Sequence, residues 1–504
     1  MSQESIQKTN EFLAIANQFK LGALPTETRH PLTKNLSTLT KTNIPEALGI
    51  LKSIELGVLD QVSKKMPEIE KLRTAIDETI QKGNKVYIYG CGATGRLALS
   101  LEYLWRFTKT GASRDAVVGF MSGGDLALIH SIESFEDHPE WGARQVREIG
   151  FTAGDLLIAC TEGGETPSVI GAAEEATKIS RNPTWFLYCN PDESLQTVER
   201  SARILSNSEI KKVNLFVGPM SLSGSTRLQA TTALMLAAGM ALFPEASIQA
   251  HKNWISSNEL NFLEPFAITE SDAYASDELL LYVTNHYGIT IMTDTTERSP
   301  TFSLAGFENT KSEHQTPALC YVMLPETKSV MEAWERLLLR KPRTLEWSEL
   351  GAVAGMDRLQ GFDFSAPTES RRLGFKKKQI RFAIQRIGNE MHWELEKHKV
   401  KLPLGDLHPL TEHLILKFLL NAHSTIVMGR LNRFESNVMT WVKPSNNKLI
   451  DRAIRYVDYL LSQRTNTSLP YETIATALFA EIEELKNGEA IVLKTLDRLL
   501  QQKH

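Results

Sequence analysis

The sequence has few cysteines, no long apolar run and almost no net charge. Its 504 residues include only four cysteines and no CxxC pair, so it indicates neither a disulfide framework nor a thiolate metal site. The longest apolar stretch, residues 230–243, has about fourteen residues, which is too short to cross a bilayer. The polar N-terminus lacks the apolar region of a signal peptide. These absences predict a cytoplasmic protein with reduced thiols.

Charge and motif content exclude further classes of protein. Lys and Arg total 56 and Asp and Glu total 60, a formal charge of −4, which disfavours a general nucleic-acid binder and gives no reason for membrane attachment. There is no HExxH motif and no Walker A sequence, and His392, Glu394 and His398 do not share a helix face. We therefore expect no metal, no cofactor, and neither nucleic acid nor membrane as a partner. The basic run at residues 371–381 is typical of a solvated surface, with a contact for an acidic partner as the alternative.

The first half of the chain alternates short strand-like runs with helical stretches. The length predicts two or three domains, because a typical domain has about 150 residues. The alternation predicts a parallel sheet with helices on both faces. Residues 230–243 are predicted to form a buried helix. The predicted strands are 86–89, 116–120, 156–160, 185–189 and 214–217.

A second α/β unit is predicted over residues 256–443, and a helical region follows it. The predicted strands of this unit are 289–292, 318–323 and 361–364, and its predicted helices are 280–286, 336–339 and 414–428. Apolar residues at helical spacing then continue to the C-terminus. The predicted domains are an N-terminal helix and arm (1–45), a first unit (46–255), a second unit (256–443) and a helical unit (444–504).

Three loops rich in glycine and hydroxyl groups follow predicted strands of the first unit. In the first, residues 90–96, glycines let the backbone approach an anion and the next helix offers free N–H groups. Such loops converge at the carboxyl ends of parallel strands, so together they indicate a site for a phosphate on a polyhydroxylated body. A tight structural turn and simple N-capping remain the alternatives. The candidate ligand-binding residues are Gly92, Thr94, Gly95, Thr161, Gly163, Ser223, Ser225 and Arg227.

These motifs resemble the SIS (sugar isomerase) domain family, in the branch that contains the N-acetylmuramic acid 6-phosphate etherases and the glucokinase regulatory protein. The resemblance extends from about residue 35 to about residue 456. It implies an α/β fold of two tandem SIS domains, each a flavodoxin-like three-layer αβα structure with a parallel sheet, and a C-terminal all-helical lid. The segments that carry the resemblance are 90–97, 122–125, 133–137, 166–167, 189–191, 222–228 and 446–449.

The resemblance also implies two functional glutamates and a lysine. Glu136 matches one family glutamate, whereas Leu104 occupies the position of the other in the first unit. A similar stretch in the second unit, residues 295–302, places Glu297 in that position. We therefore expect one composite site that holds Glu136 from the first unit and Glu297 from the second. Lys448 matches a family lysine that reaches the ligand from the lid, and its ammonium suits a phosphate. Surface roles remain the alternatives for all three side chains.

Two functions fit such a site. Tandem domains, a lid and Leu104 favour a non-catalytic regulator that resembles the glucokinase regulatory protein, binds a sugar phosphate, and acts on a sugar kinase or another protein. The alternative is an etherase-like lyase in which Glu136 and Glu297 act as acid and base. An aldose–ketose isomerase ranks third, because no base position for it can be identified. Gly163 and Glu165 stand where the etherases have serine and arginine, and a carboxylate beside a phosphate would weaken its binding unless it points away.

Overall fold

The first unit is built on a five-stranded parallel sheet. The computed structural model describes residues 2–486 and 488–501 of the chain. The strand order is β2-β1-β3-β4-β5, so the chain leaves β1 first to one side and then to the other. Because crossovers between parallel strands are right-handed, this order places helices on both faces of the sheet. All residues of the first four strands are buried, which explains their continuous apolar sequences. The strands are β1 (Val86–Gly90), β2 (Val117–Met121), β3 (Leu156–Cys160), β4 (Thr184–Tyr188) and β5 (Ile210–Asn214).

Within the described residues, eleven α-helices precede, cover and follow this sheet. Every residue of the tenth is buried, as the apolar run at 230–243 predicts, because it packs against four other helices, two of them from the N-terminal part of the chain. These helices are α1 (Gln3–Ile15), α2 (Leu36–Thr42), α3 (Ile44–Ser63), α4 (Met66–Gln81), α5 (Ala93–Thr108), α6 (Pro139–Glu148), α7 (Pro167–Ile179), α8 (Asp192–Leu195), α9 (Glu199–Ser206), α10 (Gln229–Leu242) and α11 (Ile248–Ser257).

The second unit contains a mixed sheet of order β10-β9-β8-β6-β7. Strands β7, β6 and β8 are parallel, whereas β8, β9 and β10 are antiparallel neighbours. The expectation of a wholly parallel second sheet is therefore wrong, because a tight turn at Gly388 returns the chain directly beside β8, without a crossover helix. The strands are β6 (Leu279–Val283), β7 (Cys320–Met323), β8 (Gln379–Ile387), β9 (Glu390–Leu395) and β10 (His398–Pro403).

Helices surround the second sheet and form the C-terminal region. Residues 410–429 of the longest one, α17, are all buried, since it packs between the helices of both units. No helix of the described residues is both long enough and apolar enough to cross a membrane. The helices are α12 (Leu263–Ala275), α13 (Gly288–Phe302), α14 (Val330–Leu338), α15 (Met356–Leu359), α16 (Thr368–Leu373), α17 (Pro409–Arg430), α18 (Asn447–Thr465), α19 (Tyr471–Glu484) and α20 (Ile491–Gln501), with a short hairpin of β11 (Phe434–Glu435) and β12 (Val438–Met439) before α18.

The C-terminal helices pack on one another and on the N-terminal helix. Helix α19 contacts α1, and the rings of Phe12 and Phe479 lie 5.7 Å apart. The arm after α1 is fixed by Glu27, whose buried carboxylate binds the guanidinium groups of Arg452 and Arg455 on α18. The two ends of the chain therefore form one layer over the first unit.

Arginine–carboxylate pairs join the two α/β units. Arg340 of the second unit donates to Glu102 at 2.9 Å and to Asp125 at 3.0 Å, and all three side chains are buried. The backbone N–H of Asp125 donates to the carbonyl of Arg343 at 2.9 Å. Helix α5 also packs against α13, so the contact between the units lies beside the glycine-rich loop at residues 90–96.

Several local predictions are wrong. The 280–286 helix is strand β6, and the 289–292 strand lies inside helix α13. Short apolar runs give no distinction between a buried strand and a buried helix, so tertiary packing decided both. Neither 361–364 nor most of 214–217 is a strand. The basic run is not wholly solvated either, because Arg372 is buried against Glu308.

Candidate functional site

A polar cavity lies where the first unit, the second unit and α18 meet. It encloses about 770 Å³ of empty space, its open mouth included. The loops after β1 and β3, the segment before α6 and the loop before α10 contribute the first unit's part of its wall. The residues with ionisable or hydroxyl side chains in this wall are Ser131, Glu136, Glu162, Thr166, Ser225, Thr226, Arg227, Glu297, Thr301, Lys448 and Arg452, with Cys91 also lining it.

The glycine-rich loop brings backbone to one side of this cavity. Gly92 lies at the wall with a φ of 56°, a left-handed conformation that favours glycine. At Gly90 a Cβ would lie 2.4 Å from the backbone of Thr94, so the turn closes too tightly for a side chain. Thr94 itself turns inward, where its hydroxyl bonds both the N–H and the carbonyl of Cys91. The loop therefore presents backbone at the N-terminus of α5, an arrangement that suits an anion.

Glu136 and Glu297 reach the same cavity from different units. Glu136 precedes α6 of the first unit, and Glu297 lies on α13 of the second. The carboxylate of Glu297 forms an ion pair of 2.5 Å with Arg96, which is almost wholly buried. Glu136 pairs with Lys448, and Asn446 donates to its second oxygen at 3.4 Å. The two carboxylates therefore have different cationic partners.

The lid supplies the cations on the opposite side. Helix α18 begins at Asn447, capped by the side chain of Asn446, which accepts from the N–H of Leu449. Lys448 is in its first turn and Arg452 follows one turn later. Burial alone would lower the pKa of Lys448, but the carboxylates of Glu136 and Glu165 outweigh it and raise that pKa well above its usual value. Both lid residues are thus charged at neutral pH.

Glu162 adds a third carboxyl group that the sequence did not single out. It is buried in the cavity wall after β3 and accepts a hydrogen bond of 2.9 Å from the hydroxyl of Thr231. Burial, reinforced by the charge of Glu297, raises the pKa of Glu162 to about 7 despite that bond and the charge of Lys448. This carboxyl group therefore holds its proton in mildly acidic solution, where an ordinary glutamate is ionised.

Glu165, which stands where the etherases have arginine, does not line the cavity. Its carboxylate binds Arg200 at 2.5 Å, and the ammonium of Lys448 lies 3.7 Å from its other oxygen. Despite full burial, the charges of Lys448 and Arg200 hold the pKa of Glu165 below its usual value. Its negative charge is therefore balanced within the protein.

Six of the predicted site residues line the cavity together: Gly92, Glu136, Ser225, Arg227, Glu297 and Lys448. The Ser225 hydroxyl, buried in this wall, has no hydrogen-bond partner among the described residues. Arg227 is less available, because its guanidinium donates to Asp294 at 3.1 Å and also to Asn421 and Ser424.

The other five predicted residues, Thr94, Gly95, Thr161, Gly163 and Ser223, support the loops from behind and do not line the cavity. Gly95 packs on Met121, where a Cβ would lie 2.5 Å from that side chain. Thr161 bonds the hydroxyl of Thr166, and the carbonyl of Gly163 accepts from Asn190. Ser223 donates to the carbonyl of Glu27 in the N-terminal arm. The hydroxyl groups of Thr94, Thr161 and Ser223 therefore stabilise the loops through hydrogen bonds, and the two glycines allow their close packing.

The sequence did not single out Ser131, Glu162 or Arg452. Ser131 follows a buried turn without any glycine or motif to mark it, and Arg452 belongs to an amphipathic helix rich in arginine. A signal was available for Glu162 only, because it stands two residues after β3, in a loop that the sequence already predicts at the site. Thr166, by contrast, stands in a motif already noted as part of the resemblance.

Comparisons with known proteins agree with these features. The family model described as the glucokinase regulatory protein N-terminal SIS domain matches residues 68–176. Proteins named N-acetylmuramic acid 6-phosphate etherase are similar: one from Bacillus subtilis (strain 168) is 33% identical over 225 residues, which is 44% of this chain and 67% of that protein. One from Mycolicibacterium smegmatis is 31% identical and matches 44% of this chain and 69% of its own length. One from Aliivibrio fischeri (strain MJ11) is 30% identical, with 44% and 68% matched.

Among solved structures, a tagatose-6-phosphate ketose/aldose isomerase from Escherichia coli aligns with 80% of this chain and 98% of its own, at a TM-score of 0.41 and 10% identity. A putative isomerase of the same name from Clostridium novyi NT aligns with 79% and 90%, at a TM-score of 0.42 and 13% identity. The family model over residues 68–176 and the etherases that match 44% of the chain confirm the predicted family. The chain belongs to the SIS domain family, together with the N-acetylmuramic acid 6-phosphate etherases.

Proposed function

We propose that this chain is a carbon–oxygen lyase that eliminates lactate from a phosphosugar ether of the N-acetylmuramic acid 6-phosphate class. The observation that carries the proposal is the presence, in one cavity, of Glu136 from the first unit and Glu297 from the second. The etherases that are 30–33% identical to the chain support the substrate class.

The reaction needs two proton transfers. A base removes the proton from the carbon next to the sugar's carbonyl group, and the electron pair of that C–H bond forms the new C=C bond. The bond to the ether oxygen breaks, and an acid gives that oxygen the proton with which it leaves as lactate. Two carboxyl groups divide these roles when their environments differ. Glu297 lies beside the buried guanidinium of Arg96, whereas Glu136 lies beside the ammonium of Lys448 on α18, so their environments differ.

The remaining wall supplies groups for the phosphate and the hydroxyl groups. The N-terminus of α5 offers backbone N–H groups. Lys448 and Arg452 place positive charge in the wall, although each is also paired with a glutamate of the protein, Glu136 and Glu27 respectively. Because burial raises the pKa of Glu162 to about 7, this carboxyl group is partly protonated at that pH and repels a phosphate less than an ordinary glutamate does. Ser225 offers an unpartnered hydroxyl to the sugar or its phosphate.

The direct test is to incubate the purified protein with N-acetylmuramic acid 6-phosphate and to assay D-lactate. We expect turnover in the wild type and a loss of at least about a hundredfold in kcat in Glu136→Gln and in Glu297→Gln, the scale of a lost general acid or base. Glu209→Gln, which neutralises an exposed glutamate outside the cavity, is the matched control and should keep full activity. Absence of D-lactate with the wild type, or full activity in both cavity variants, would refute the proposal.

A second measurement assigns the two roles. In deuterated water, an enzyme that retains its base but lacks its acid still exchanges the proton next to the carbonyl without releasing lactate. We expect one of the two variants, Glu136→Gln or Glu297→Gln, to retain this exchange and the other to lose it. Equal exchange at the wild-type rate in both variants would place the base elsewhere.

A non-catalytic, sugar-phosphate-responsive regulator is the second candidate. The family model of the glucokinase regulatory protein's SIS domain and the direct bond between lid residue Lys448 and Glu136 favour it. On this alternative the protein releases no D-lactate, yet fructose 6-phosphate, fructose 1-phosphate or glucosamine 6-phosphate raises its melting temperature. A sugar kinase or other protein partner stays a prediction from the resemblance alone.

A further inference from the structure

A second, larger cavity lies between the second α/β unit and the C-terminal helices. It encloses about 1610 Å³ of empty space, its open mouth included, against about 770 Å³ for the cavity that contains Glu136 and Glu297. The segment after α13, residues 303–309, forms one wall, and residues 485–486 and 488–489 between α19 and α20 form another. Its size exceeds what a hexose monophosphate needs.

Four basic side chains line this second cavity: Arg358, Arg433, Lys443 and Lys486. Within the described side chains, none of the four forms an ion pair. Lys443 is exposed, and the buried Nε of Arg358 has no hydrogen-bond partner in the described part of the chain. His130 lies in the same wall as Arg358 and Lys443. Burial and the positive charges of these two residues lower the pKa of the His130 ring, in agreement with that arrangement.

The acidic residues of the wall do not cancel this charge. Glu308 is wholly buried and binds Arg372, which lies behind the wall and is equally buried. Glu489 pairs with Lys494 at 2.7 Å. Glu308 is thus balanced by Arg372, and Glu489 by Lys494 together with the nearby charge of Lys486. Among the described residues, Arg358, Arg433 and Lys443 are left without a carboxylate partner and are available to an anion. Arg433 is held in place for such a contact, because it stacks 3.7 Å from the ring centre of Trp441 and donates to the carbonyl of Phe302.

The two cavities share a wall. Residues Glu297, Pro300 and Thr301 of α13 line the first, whereas Ser299 and Ser303 line the second. In the same way Ser131 lines the first cavity and its neighbour His130 the second. A ligand in the second cavity would therefore contact the helix that carries Glu297.

We infer that this second cavity is a binding site for a phosphorylated small molecule that carries two or more negative charges and is larger than a hexose monophosphate. The four basic side chains would bind its phosphate groups as charge-assisted hydrogen-bond donors. The inference does not depend on the reaction proposed for the first cavity, because it rests on a different set of residues.

The test is calorimetric titration of the full-length protein with two probes, inorganic pyrophosphate and ADP. We expect at least one probe to bind the wild type with a Kd below about 1 mM, the affinity of a weak metabolite site. The double variant Arg358→Gln/Lys443→Gln should weaken that binding at least tenfold. The matched control, Lys71→Gln, removes an exposed lysine of α4 that does not line either cavity, and it should change the affinity less than threefold.

A third variant separates the two cavities. Lys448→Gln removes a cation from the first cavity only, so probe binding should survive it within threefold. The inference is overturned if neither probe binds, if the double variant binds as the wild type does, or if Lys448→Gln weakens binding tenfold. If the double variant does not fold, Lys443→Gln alone decides, because that exposed side chain makes no bond within the described residues; it should weaken binding at least threefold, and Lys443→Arg should restore it.

Discussion

Replacing Glu162 with glutamine should make the protein more stable at pH 8 and leave it almost unchanged in acid. Glutamine has the shape of the protonated carboxyl group and cannot ionise. In the wild type, burial raises the pKa of Glu162 from 4.5 to about 7. The folded protein therefore holds this proton more tightly than the unfolded chain does. The stability that the proton provides is fully present below pH 4.5 and is lost as the pH rises through about 7.

The size of the effect follows from the shift. A change of about 2.5 pKa units corresponds to about 3 kcal/mol of unfolding free energy when the group is fully titrated. The wild type should therefore match Glu162→Gln near pH 4 and be less stable than the variant by about 3 kcal/mol at pH 8. Because the side chain is buried, solvent screening does not reduce this figure as it would at the surface.

The assay is urea unfolding of both proteins at several pH values, with the difference between them as the quantity of interest. The comparison is needed because Asp137 and Glu55 titrate in the same range: burial and neighbouring Glu136 raise the pKa of Asp137 to about 6, and burial raises that of Glu55 to about 7. Their contributions are common to both proteins and cancel. A stability difference that stays constant within about 1 kcal/mol from pH 4 to pH 8 would refute the reasoning.

Two further predictions concern packing. Glu27→Ala leaves the buried guanidinium groups of Arg452 and Arg455 without their carboxylate, so the free energy of unfolding should fall by about 3–5 kcal/mol, measured by urea unfolding at pH 7. An unchanged value would mean that the arm does not hold α18. Gly142→Ala would place a Cβ 1.9 Å from a backbone carbonyl of α7, so its melting temperature should fall sharply, whereas Gly49→Ala, with nothing within 4 Å, should match or exceed the wild type. Equal melting temperatures for the two variants would contradict the close packing of α6 on α7.

The sequence was informative about the first unit because its local and global signals agree. Strands at 86–89 and 156–160 are apolar on both faces, and the glycine loop after the first of them marks a turn that only glycine allows. In the second unit the signals conflict. Three of the four residues at 289–292 are β-branched, which favours a strand, yet they form the first turn of α13, where every one of them is buried. Packing overrides propensity there, and one sequence cannot reveal that.

The composite character of the cavity was predictable, but its wall was only half predictable. Glu136, Glu297 and Lys448 were recognised from motifs, and all three line it. Thr94, Thr161 and Ser223 stand in equally clear motifs, yet their hydroxyl groups hold loops together, because a motif fixes a loop's shape without saying which way each side chain turns. Glu162 is marked only by its position in the loop after β3, and Arg452 by no motif. Their role follows only from the fold, which places the end of β3 opposite the start of α18.

The two units place different side chains at comparable positions after their first strands. Helices α5 and α13 follow the equivalent first strands, β1 and β6, and pack against each other. Helix α13 carries Glu297 to the cavity beside the loop after β1, whereas α5 has the apolar, fully buried Leu104 at the corresponding place. The loop after β6 is filled from within: Tyr287 donates to Glu412, and both side chains are buried. In a dimer of two identical chains, any substitution appears in both sites. In a single chain with two units, one site can bind a ligand while the residues at the other position pack as part of the core. That asymmetry leaves the second unit free to present a different surface, with its basic side chains, to the C-terminal helices.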